Sequence, residues 1–447
     1  MSASKYTEEL SVALKAVRLA SLLTKSHLLT YLSKQSVVSE ETKSDASEVT
    51  VADFAAQAVI IAAIHAAFPD DNFIAEESGE MLREDQGLSE RVWDLVEKAM
   101  EIAARTDEGD GAAVDELRRG DVTMSLPGSP ADMVDIIDKG QKGGQAERSR
   151  SGRTWILDPI DGTKTYIRGH QYAVCLCLVD EGEQKVAVLG CPNLDLQRMN
   201  LAEEDVKDGT IVIGETVVDP APDGGWILSA VKGEGTHISA VRTYETRLSI
   251  QDFLSHKEVM EEDLGEQAHR VMSNMSQTSE NGSTLLNLNF TDSSASPHIS
   301  KDIHERIFRH FAHPPQPESH SEAAPFQDIW SMQMKYVLLA LRAADAMIRT
   351  PPTSSYHAAV WDHAGGQLLL TESGGVLTDA NGKSFVINGQ TRRLEDNWGV
   401  CGVRGGDIVA DGGRRSSPRD VHKAIMARIK IEVSARRQRR SEKGEDD

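Results

Sequence analysis

We predict that this chain folds as an α/β protein in which helices and strands alternate, and three stretches of the sequence support the prediction. Residues 7–33 repeat leucine and valine at helical spacing, which is typical of an amphipathic helix. Residues 155–157 form a short apolar run of the kind that makes a buried strand, and Asp158 follows it directly. Residues 172–179 and 185–190 are apolar runs on either side of a glycine-containing turn, so they predict a β-hairpin.

The composition limits both the size of the protein and its partners. At 447 residues the chain can bury a sizeable core, and its length suggests two or three domain-sized units. A formal net charge of −22 leaves no basic field that could neutralise many phosphates, which excludes a nucleic-acid polymer as partner. We therefore expect a small anionic substrate to be held by bound metal and by a local basic pocket.

The sequence shows no signal for export or for insertion into a membrane. Residues 1–23 carry charged side chains and lack the apolar core of a signal peptide, and no run approaches the ~20 apolar residues of a membrane span. The four cysteines stand in apolar, strand-like runs without zinc-type spacing, and nothing about them indicates an oxidising compartment. We expect a monomer without a membrane partner, located in the cytoplasm, with a nuclear pool also allowed.

The N-terminal half contains several further predicted elements. Residues 37–48 are polar and predict a loop, whereas the apolar run at 73–75 predicts a strand. Helical spacing over residues 88–106 predicts another helix. Residues 140–152 are rich in glycine and basic side chains, so they form either a solvated loop or a basic flap over a phosphate site.

The motif that decides the chemistry follows the strand at residues 155–157. Asp158 comes directly after this strand, and Pro159, which has no N–H to continue a sheet ladder, is expected to end it. Asp161 follows Asp158 by three residues, and Thr163 adds a hydroxyl two residues later. In the ordinary interpretation Asp158 opens a turn and Asp161 caps a helix. The alternative is a site for a hard divalent cation, because carboxylate oxygens suit magnesium.

Other acidic residues favour the metal site. Glu76 follows the strand at 73–75, and Asp362 stands at a predicted helix start. Thr50 precedes Asp53 by three residues, ahead of a helix over residues 54–68, which is the pattern of a capping box. A helix N-terminus favours an ionised carboxylate, so a cap at Asp53 is compatible with a catalytic role there.

The second half is predicted to start near residue 210. Three strands are expected first, at residues 211–214, 226–231 and 237–239, before a Ser- and Asn-rich segment within the insertion at 254–325. An apolar helix is expected over 333–348, and a hairpin turn at Asn381-Gly382 between strands at 376–378 and 385–387.

Several motifs together resemble one enzyme family. They are Asp158-Pro159-Ile160-Asp161-Gly162-Thr163, preceded by Glu76-Glu77-Ser78 and followed by Trp361-Asp362-His363-Ala364-Gly365-Gly366. In this order and spacing they resemble the lithium-sensitive, magnesium-dependent phosphomonoesterases related to inositol monophosphatase. Within that superfamily the chain looks most like the 3′(2′),5′-bisphosphate nucleotidases, on the further stretches 43–53, 162–164, 168–176 and 190–194. The resemblance covers most of residues 8–410.

The resemblance implies a fold and a division of the chain. The fold would be a layered α/β sandwich of alternating helix and sheet layers in two sub-domains, with the metals between them. We place the first sub-domain at residues 1–209, with most of the metal ligands, and the second at 210–433, with substrate-binding residues and Asp362. A charged, disordered tail would follow at 434–447.

The resemblance also implies roles for particular residues. Asp53 and Thr163 would be the catalytic pair that positions and deprotonates the attacking water. Two or three Mg²⁺ ions would activate this water and stabilise the leaving oxygen, and Li⁺ would inhibit. The implied metal ligands are Glu76, Asp158, the carbonyl of Ile160, Asp161 and Asp362. The implied substrate-binding residues are Thr163, Lys164, His320, Lys335, Arg349 and Asp362.

Two departures from the family pattern concern the nucleotide. Met332 stands where the family commonly has a small polar residue, and Ala358-Ala359 stand where it commonly has Glu-Lys. His320 equally fits a solvent-exposed loop. The favoured function is hydrolysis of 3′-phosphoadenosine 5′-phosphate to AMP and phosphate, with the sulfated form as a further substrate. An inositol-phosphate 1-phosphatase and an inactive nucleotide or metal sensor stay open as alternatives.

Overall fold

A seven-stranded and a five-stranded β-sheet organise the chain in the computed structural model. The structure describes residues 5–33, 40–42, 48–108, 125–141, 152–196, 214–243, 246–255, 286, 288–293, 296–311, 326–409 and 415–443. The α-helices in these residues include α1 Thr7–Ser33, α2 Val51–Ala67, α3 Glu80–Glu84, α4 Gln86–Glu108, α5 Pro130–Lys139, α6 Thr163–Tyr166, α7 Lys301–Phe311, α8 Met332–Ala340, α9 Ala364–Glu372 and α10 Pro418–Lys443. The strands include β1 Glu40–Thr42, β2 Glu48–Thr50, β3 Asn72–Ala75, β4 Thr154–Asp161, β5 Ala173–Asp180, β6 Glu183–Cys191, β7 Trp226–Val231, β8 Gly235–Ala240, β9 Leu248–Ser249, β10 Phe290–Asp292, β11 Phe326–Asp328, β12 Ala346–Arg349, β13 Val376–Thr378, β14 Val400–Val403, β15 Ile408–Val409 and β16 Arg415–Ser416.

The seven-stranded sheet has the strand order β3-β4-β5-β6-β7-β8-β9. Strands β3 and β4 are parallel, and each later neighbouring pair is antiparallel. Side chains alternate between its faces, so Val174 and Leu176 share a core with α1 and α2, whereas Cys175 lies in the core with α8 and α9. Because the sheet runs from Asn72 to Ser249, the boundary predicted at residue 210 falls inside it, and the division into sub-domains stays a prediction.

The five-stranded sheet has the order β11-β10-β12-β14-β13, with β10 parallel to both of its neighbours. On one face Met347 contributes to the core with α8 and α9, and on the other Ile348 lies in a core with α7 and α10. The layers therefore alternate as helix, sheet, helix, sheet and helix. This arrangement confirms the predicted layered α/β fold.

Most predicted elements of the N-terminal half are confirmed. The structure contains the predicted helix α1 at Thr7–Ser33, strand β3 at Asn72–Ala75 and helix α2 at Val51–Ala67. It also contains the predicted hairpin of β5 and β6. Helices α3 and α5 are additional elements that the pattern analysis did not predict. The loop predicted over 37–48 is wrong in part, because β1 and β2 pair there as antiparallel strands.

Strand β4 does not end at Pro159 as predicted. It continues to Asp161, and its register against β5 shifts between Asp158, opposite Cys175, and Asp161, opposite Ala173. This β-bulge accommodates Pro159, since a proline is tolerated where the ladder is interrupted. The bulge brings both aspartates to the end of the strand.

The helix predicted over 333–348 is wrong in its second half. Helix α8 ends at Ala340, Arg342 takes a left-handed conformation with φ 57°, and β12 follows at Ala346–Arg349. Apolar residues predominate throughout the stretch because it lies between layers, and a short buried strand and a buried helix share that pattern.

Two further predictions need correction. Strand β13 pairs with β14 and not with residues 385–387, although Gly382 does form a turn, with φ 87°. The tail predicted as disordered from residue 434 is helical up to Lys443, and Arg436 forms an ion pair with Asp302. The predictions for residues 211–213 and 142–151 lie outside the described residues.

Candidate active site

The predicted acidic ligands converge at the edge where β3 and β4 end. These strands are parallel, with Ala75 opposite Leu157, so Glu76, directly after β3, lies beside Asp158 of β4. Asp362 reaches the same place from the loop before α9. One carboxylate oxygen from each of Asp158, Asp161 and Asp362 lies within 4.8 Å of the other two. Residues separated by some 200 positions in the chain thus form one acidic cluster.

Burial and mutual repulsion both disfavour ionisation in this cluster. Burial raises the pKa of Asp158 well above its ordinary value, and the charges of Glu76, Asp161 and Asp362 raise it further. Burial, followed by Asp161 and Glu76, raises the pKa of Asp362 to about 7. A bound divalent cation would offset this repulsion, and the oxygen donors fit Mg²⁺ by their chemistry.

Asp161 is oriented by the N-terminus of α8. Its Oδ2 accepts a hydrogen bond from Ser331 Oγ at 2.6 Å and another from the backbone N–H of Gln333. Burial still raises the pKa of Asp161, against the opposing effect of these donors. Gln333 also links the cluster to the Asp362 loop, because its side chain donates to the Trp361 carbonyl at 2.6 Å.

Asp53 and Thr163 form the pair that was predicted as catalytic. Thr163 Oγ1 lies 3.3 Å from Asp53 Oδ1 and 3.2 Å from the carbonyl oxygen of Ile160. Asp53 is fully buried, and its Oδ2 accepts from the backbone and side chain of Thr50 at 2.8 and 2.5 Å. The helix cap and the contact to Thr163 therefore use different oxygens of one carboxylate, so the two interpretations of Asp53 are compatible.

Lys335 lies in α8 directly behind the cluster. It is buried, and its Nζ donates to Ser293 Oγ at 2.7 Å and to the carbonyls of Trp330 and Ser331 at 3.2 and 3.3 Å. Burial, followed by the charge of the nearby Arg349, lowers the pKa of Lys335 to about 8. Lys335 therefore places a cationic group beside Asp161 and Arg349.

Arg349 ends β12 and carries an incompletely paired guanidinium. Its Nη1 donates to Met332 Sδ at 3.4 Å, and its Nε is buried without a hydrogen-bond partner in the described residues. The positive charge of Arg349 acts on Asp362 and His363. The sulfur of Met332, the first departure from the family pattern, is thus a neutral acceptor that adds no negative charge beside the guanidinium.

The sequence analysis missed His298, which adjoins the same basic groups. Burial lowers the pKa of His298, and Arg349, Lys164 and Arg393 lower it further. Its ring stacks on Tyr356 with centroids 4.8 Å apart and an interplanar angle of 21°. The Ser-rich surroundings of His298 offered no sequence signal. Lys164 is exposed, and the predicted ligand His320 lies outside the described residues.

Comparisons with known proteins agree with the motifs. The model of the inositol monophosphatase family matches residues 6–95 and 132–403. A 3′(2′),5′-bisphosphate nucleotidase of Schizosaccharomyces pombe is 31% identical over 395 residues, 88% of this chain and 91% of the relative. A 3′(2′),5′-bisphosphate nucleotidase of Emericella nidulans is 33% identical, over 88% of this chain and 94% of the relative. The 3′(2′),5′-bisphosphate nucleotidase 2 of Candida albicans is 32% identical, over 92% of this chain and 97% of the relative.

These matches confirm the predicted resemblance. In the part of the chain that the structure describes, none of the helices is long and apolar enough to cross a bilayer. Since the family model covers well over half of the sequence and the relatives exceed 30% identity over most of it, the chain belongs to the inositol monophosphatase family.

Proposed function

We propose that this protein is a magnesium-dependent phosphomonoesterase that hydrolyses the 3′-phosphate of 3′-phosphoadenosine 5′-phosphate, giving AMP and phosphate. The observation that carries the reaction type is the convergence of Asp158, Asp161 and Asp362 beside the Asp53–Thr163 pair. The names of the relatives support the substrate class. The sulfated form, 3′-phosphoadenylyl sulfate, is proposed as a further substrate.

The acidic cluster would hold the cations. Bound magnesium supplies positive charge that stabilises the attacking and leaving oxygens of an in-line displacement. The residues proposed to hold it are Glu76, Asp158, the carbonyl of Ile160, Asp161 and Asp362. Two or three ions are proposed, with Li⁺ competing for one position.

Asp53 and Thr163 would orient the nucleophilic water. Because Asp53 Oδ2 is already occupied by Thr50, Oδ1 is the oxygen available to the hydroxyl of Thr163. When that hydroxyl donates its hydrogen to Asp53 Oδ1, its lone pairs can accept a hydrogen from water. As the water oxygen bonds to phosphorus and the bond between phosphorus and the 3′ oxygen breaks, Thr163 would accept a proton from the water and give its own proton to Asp53 Oδ1. The 3′ oxygen that leaves would take up a proton from solvent. The position of Asp53 at a helix N-terminus favours the ionised carboxylate that this step requires.

The basic groups would bind the parts of the substrate that do not react. Arg349 Nε has no hydrogen-bond partner in the described residues, so Arg349 can hold the 5′-phosphate through a charge-assisted hydrogen bond. Lys335 Nζ already donates to three protein oxygens, so it would attract the phosphate by its positive charge, or would exchange one of these acceptors for a phosphate oxygen. Lys164, with the stacked rings of His298 and Tyr356 nearby, completes a surface for the nucleoside. Thr163 and Asp362 would contact the phosphate that is cleaved, and His320 is retained as a proposed ligand.

The test is phosphate release from bisphosphate nucleotides and inositol phosphates, with and without Mg²⁺. We expect turnover of 3′-phosphoadenosine 5′-phosphate that requires Mg²⁺ and is lost in Asp53→Asn, which controls for contaminating phosphatases. Faster turnover of an inositol phosphate would move the 1-phosphatase alternative ahead. Nucleotide binding without turnover would identify an inactive regulator.

A further inference from the structure

Arg392 makes contacts on both sides of the acidic cluster. Its Nη2 donates to the carbonyl oxygen of Ala75 at 2.7 Å, and its Nη1 donates to the carbonyl oxygen of Gly140 at 2.9 Å. The guanidinium also lies over the ring of Trp361, with Cζ 4.6 Å from the centroid. The planar fork of arginine suits this use, because it can donate two hydrogen bonds and stack at the same time.

Two of the three contacted residues directly precede proposed metal ligands. Ala75 is followed by Glu76 at the end of β3, and Trp361 is followed by Asp362 before α9. Glu76 and Asp362 come from distant parts of the chain. The side chain of Arg392 therefore connects the main chain before Glu76 with the indole ring of the residue before Asp362.

The segment that carries Arg392 is itself attached to the Asp362 loop. The N–H of Val360 donates to the Arg392 carbonyl at 3.1 Å, and the N–H of Leu394 donates to the Ala358 carbonyl at 2.9 Å. Ala359 and Arg393 form the antiparallel bridge between them. Ala358-Ala359, the second departure from the family pattern, thus serve as the backbone partner of this segment.

The main chain next to Glu76 is also held by Gln57 of α2. Gln57 accepts from the N–H of Glu77 at 3.0 Å and donates to the Glu77 carbonyl at 2.7 Å. Gln57 is fully buried in α2, one turn after Asp53. Glu76 thus lies between a support from α2 and a support from Arg392. Of the two, Arg392 is the one that reaches across to Asp362.

We propose that Arg392 is a positioning residue that sets Glu76 and Asp362 at the separation required by a bound divalent cation. The inference rests on the proposed function, because it assumes that these carboxylates are metal ligands. Outer contacts that orient ligands typically change metal affinity by about 10- to 100-fold when they are removed. The expected effect of losing the guanidinium is therefore a weaker metal site in a folded protein.

The experiment measures Mn²⁺ binding to the full-length protein from the electron paramagnetic resonance signal of free Mn²⁺. Arg392→Met keeps an unbranched side chain and removes the guanidinium with both donors and its contact with the Trp361 ring, so we expect the Mn²⁺ dissociation constant to rise by about 10- to 100-fold. At saturating metal the KM for the nucleotide should stay near the wild-type value, because the substrate contacts are unchanged. A thermal melt reports the loss of stability separately.

Arg404→Met is the matched control. Arg404 donates to Asp345 at 2.7 Å and to the carbonyls of Gly405 and Asp407 at 3.1 and 3.2 Å, at the end of β12 opposite to Arg349. The Arg404→Met variant should have a lower melting temperature than the wild-type protein and the same Mn²⁺ affinity. An unchanged Mn²⁺ affinity in Arg392→Met would overturn the inference.

If Arg392→Met does not fold, the Mn²⁺ affinity of Arg392→Lys tests the inference instead. A lysine keeps the charge over the ring but offers a single nitrogen for two carbonyls, so Mn²⁺ affinity should again fall, and wild-type affinity would overturn the inference. A wild-type protein that binds no Mn²⁺ would refute the proposed function itself. Failure of the proposed function is thus seen in the wild-type protein, whereas failure of the inference is seen as wild-type Mn²⁺ affinity in the Arg392 variants.

Discussion

Replacing Arg349 by alanine tests the assignment of the nucleotide site. The guanidinium is half-buried at the end of β12, near Asp362 and Lys335. Its Nη1 donates to the thioether of Met332, a weak and uncharged acceptor, and its Nε has no hydrogen-bond partner in the described residues. The structure thus holds a positive charge next to the acidic cluster, in a position to bind a second phosphate.

The size of the effect follows from the kind of contact. A charge-assisted hydrogen bond to phosphate contributes about 1.5–3 kcal/mol where solvent is restricted. At about 1.4 kcal/mol per decade, Arg349→Ala should raise KM for 3′-phosphoadenosine 5′-phosphate by roughly one to two decades. The effect on kcat should be smaller, because the bond to the uncleaved phosphate is made equally in the ground state and the transition state.

The assay compares two substrates in each variant. The ratio of kcat/KM for the bisphosphate to that for a nucleotide carrying only the cleaved phosphate is measured in wild type and in Arg349→Ala. Removal of Arg349 should lower this ratio by the full one to two decades, since the monophosphate lacks the group that Arg349 binds.

Two further variants separate charge from orientation. Arg349→Lys keeps the charge and should recover part of the ratio, although a lysine cannot reproduce the fork of the guanidinium. Met332→Leu keeps the volume and removes the sulfur acceptor, so it should have a smaller effect than Arg349→Ala. A wild-type ratio near one, or a ratio that Arg349→Ala leaves unchanged, would refute the nucleotidase assignment.

Three other predictions concern the metal site and its support. Asp161→Asn removes a charge needed to hold a cation, so Mg²⁺-dependent phosphate release should fall by orders of magnitude while the melting curve stays cooperative; equal turnover at saturating Mg²⁺ would contradict the metal assignment. Li⁺ should inhibit uncompetitively or noncompetitively with respect to substrate, and initial rates that are indifferent to Li⁺ well above the Mg²⁺ concentration would argue against this mechanism. Gly366→Ala would place a Cβ against the ring of Tyr336 and the side-chain oxygen of Gln333, so denaturant unfolding should show a loss of about 1–3 kcal/mol together with lower activity. Gly128→Ala is the control and should be nearly neutral, because among the described residues its Cβ would meet only Asp132, at 3.9 Å.

The sequence by itself indicated the family and the kind of chemistry to expect. The acidic motifs stand at the ends of apolar runs, their carboxylate oxygens suit a hard cation, and their order and spacing are those of the family. Local patterns also sufficed for α1, for the capping box at Thr50 and for the hairpin of β5 and β6, because each depends on residues only a few positions apart. These features are encoded by neighbours in the chain.

Only the tertiary structure decided how those motifs meet. The parallel register of β3 and β4 places Glu76 beside Asp158, and the bulge at Pro159 keeps Asp161 in the same strand. The boundary between α8 and β12 could not be predicted, because a run buried between two layers carries apolar residues on all of its faces and shows no clear periodicity. Contacts such as that of Arg392 with Ala75 join residues more than 300 positions apart, and no local pattern records such a pairing.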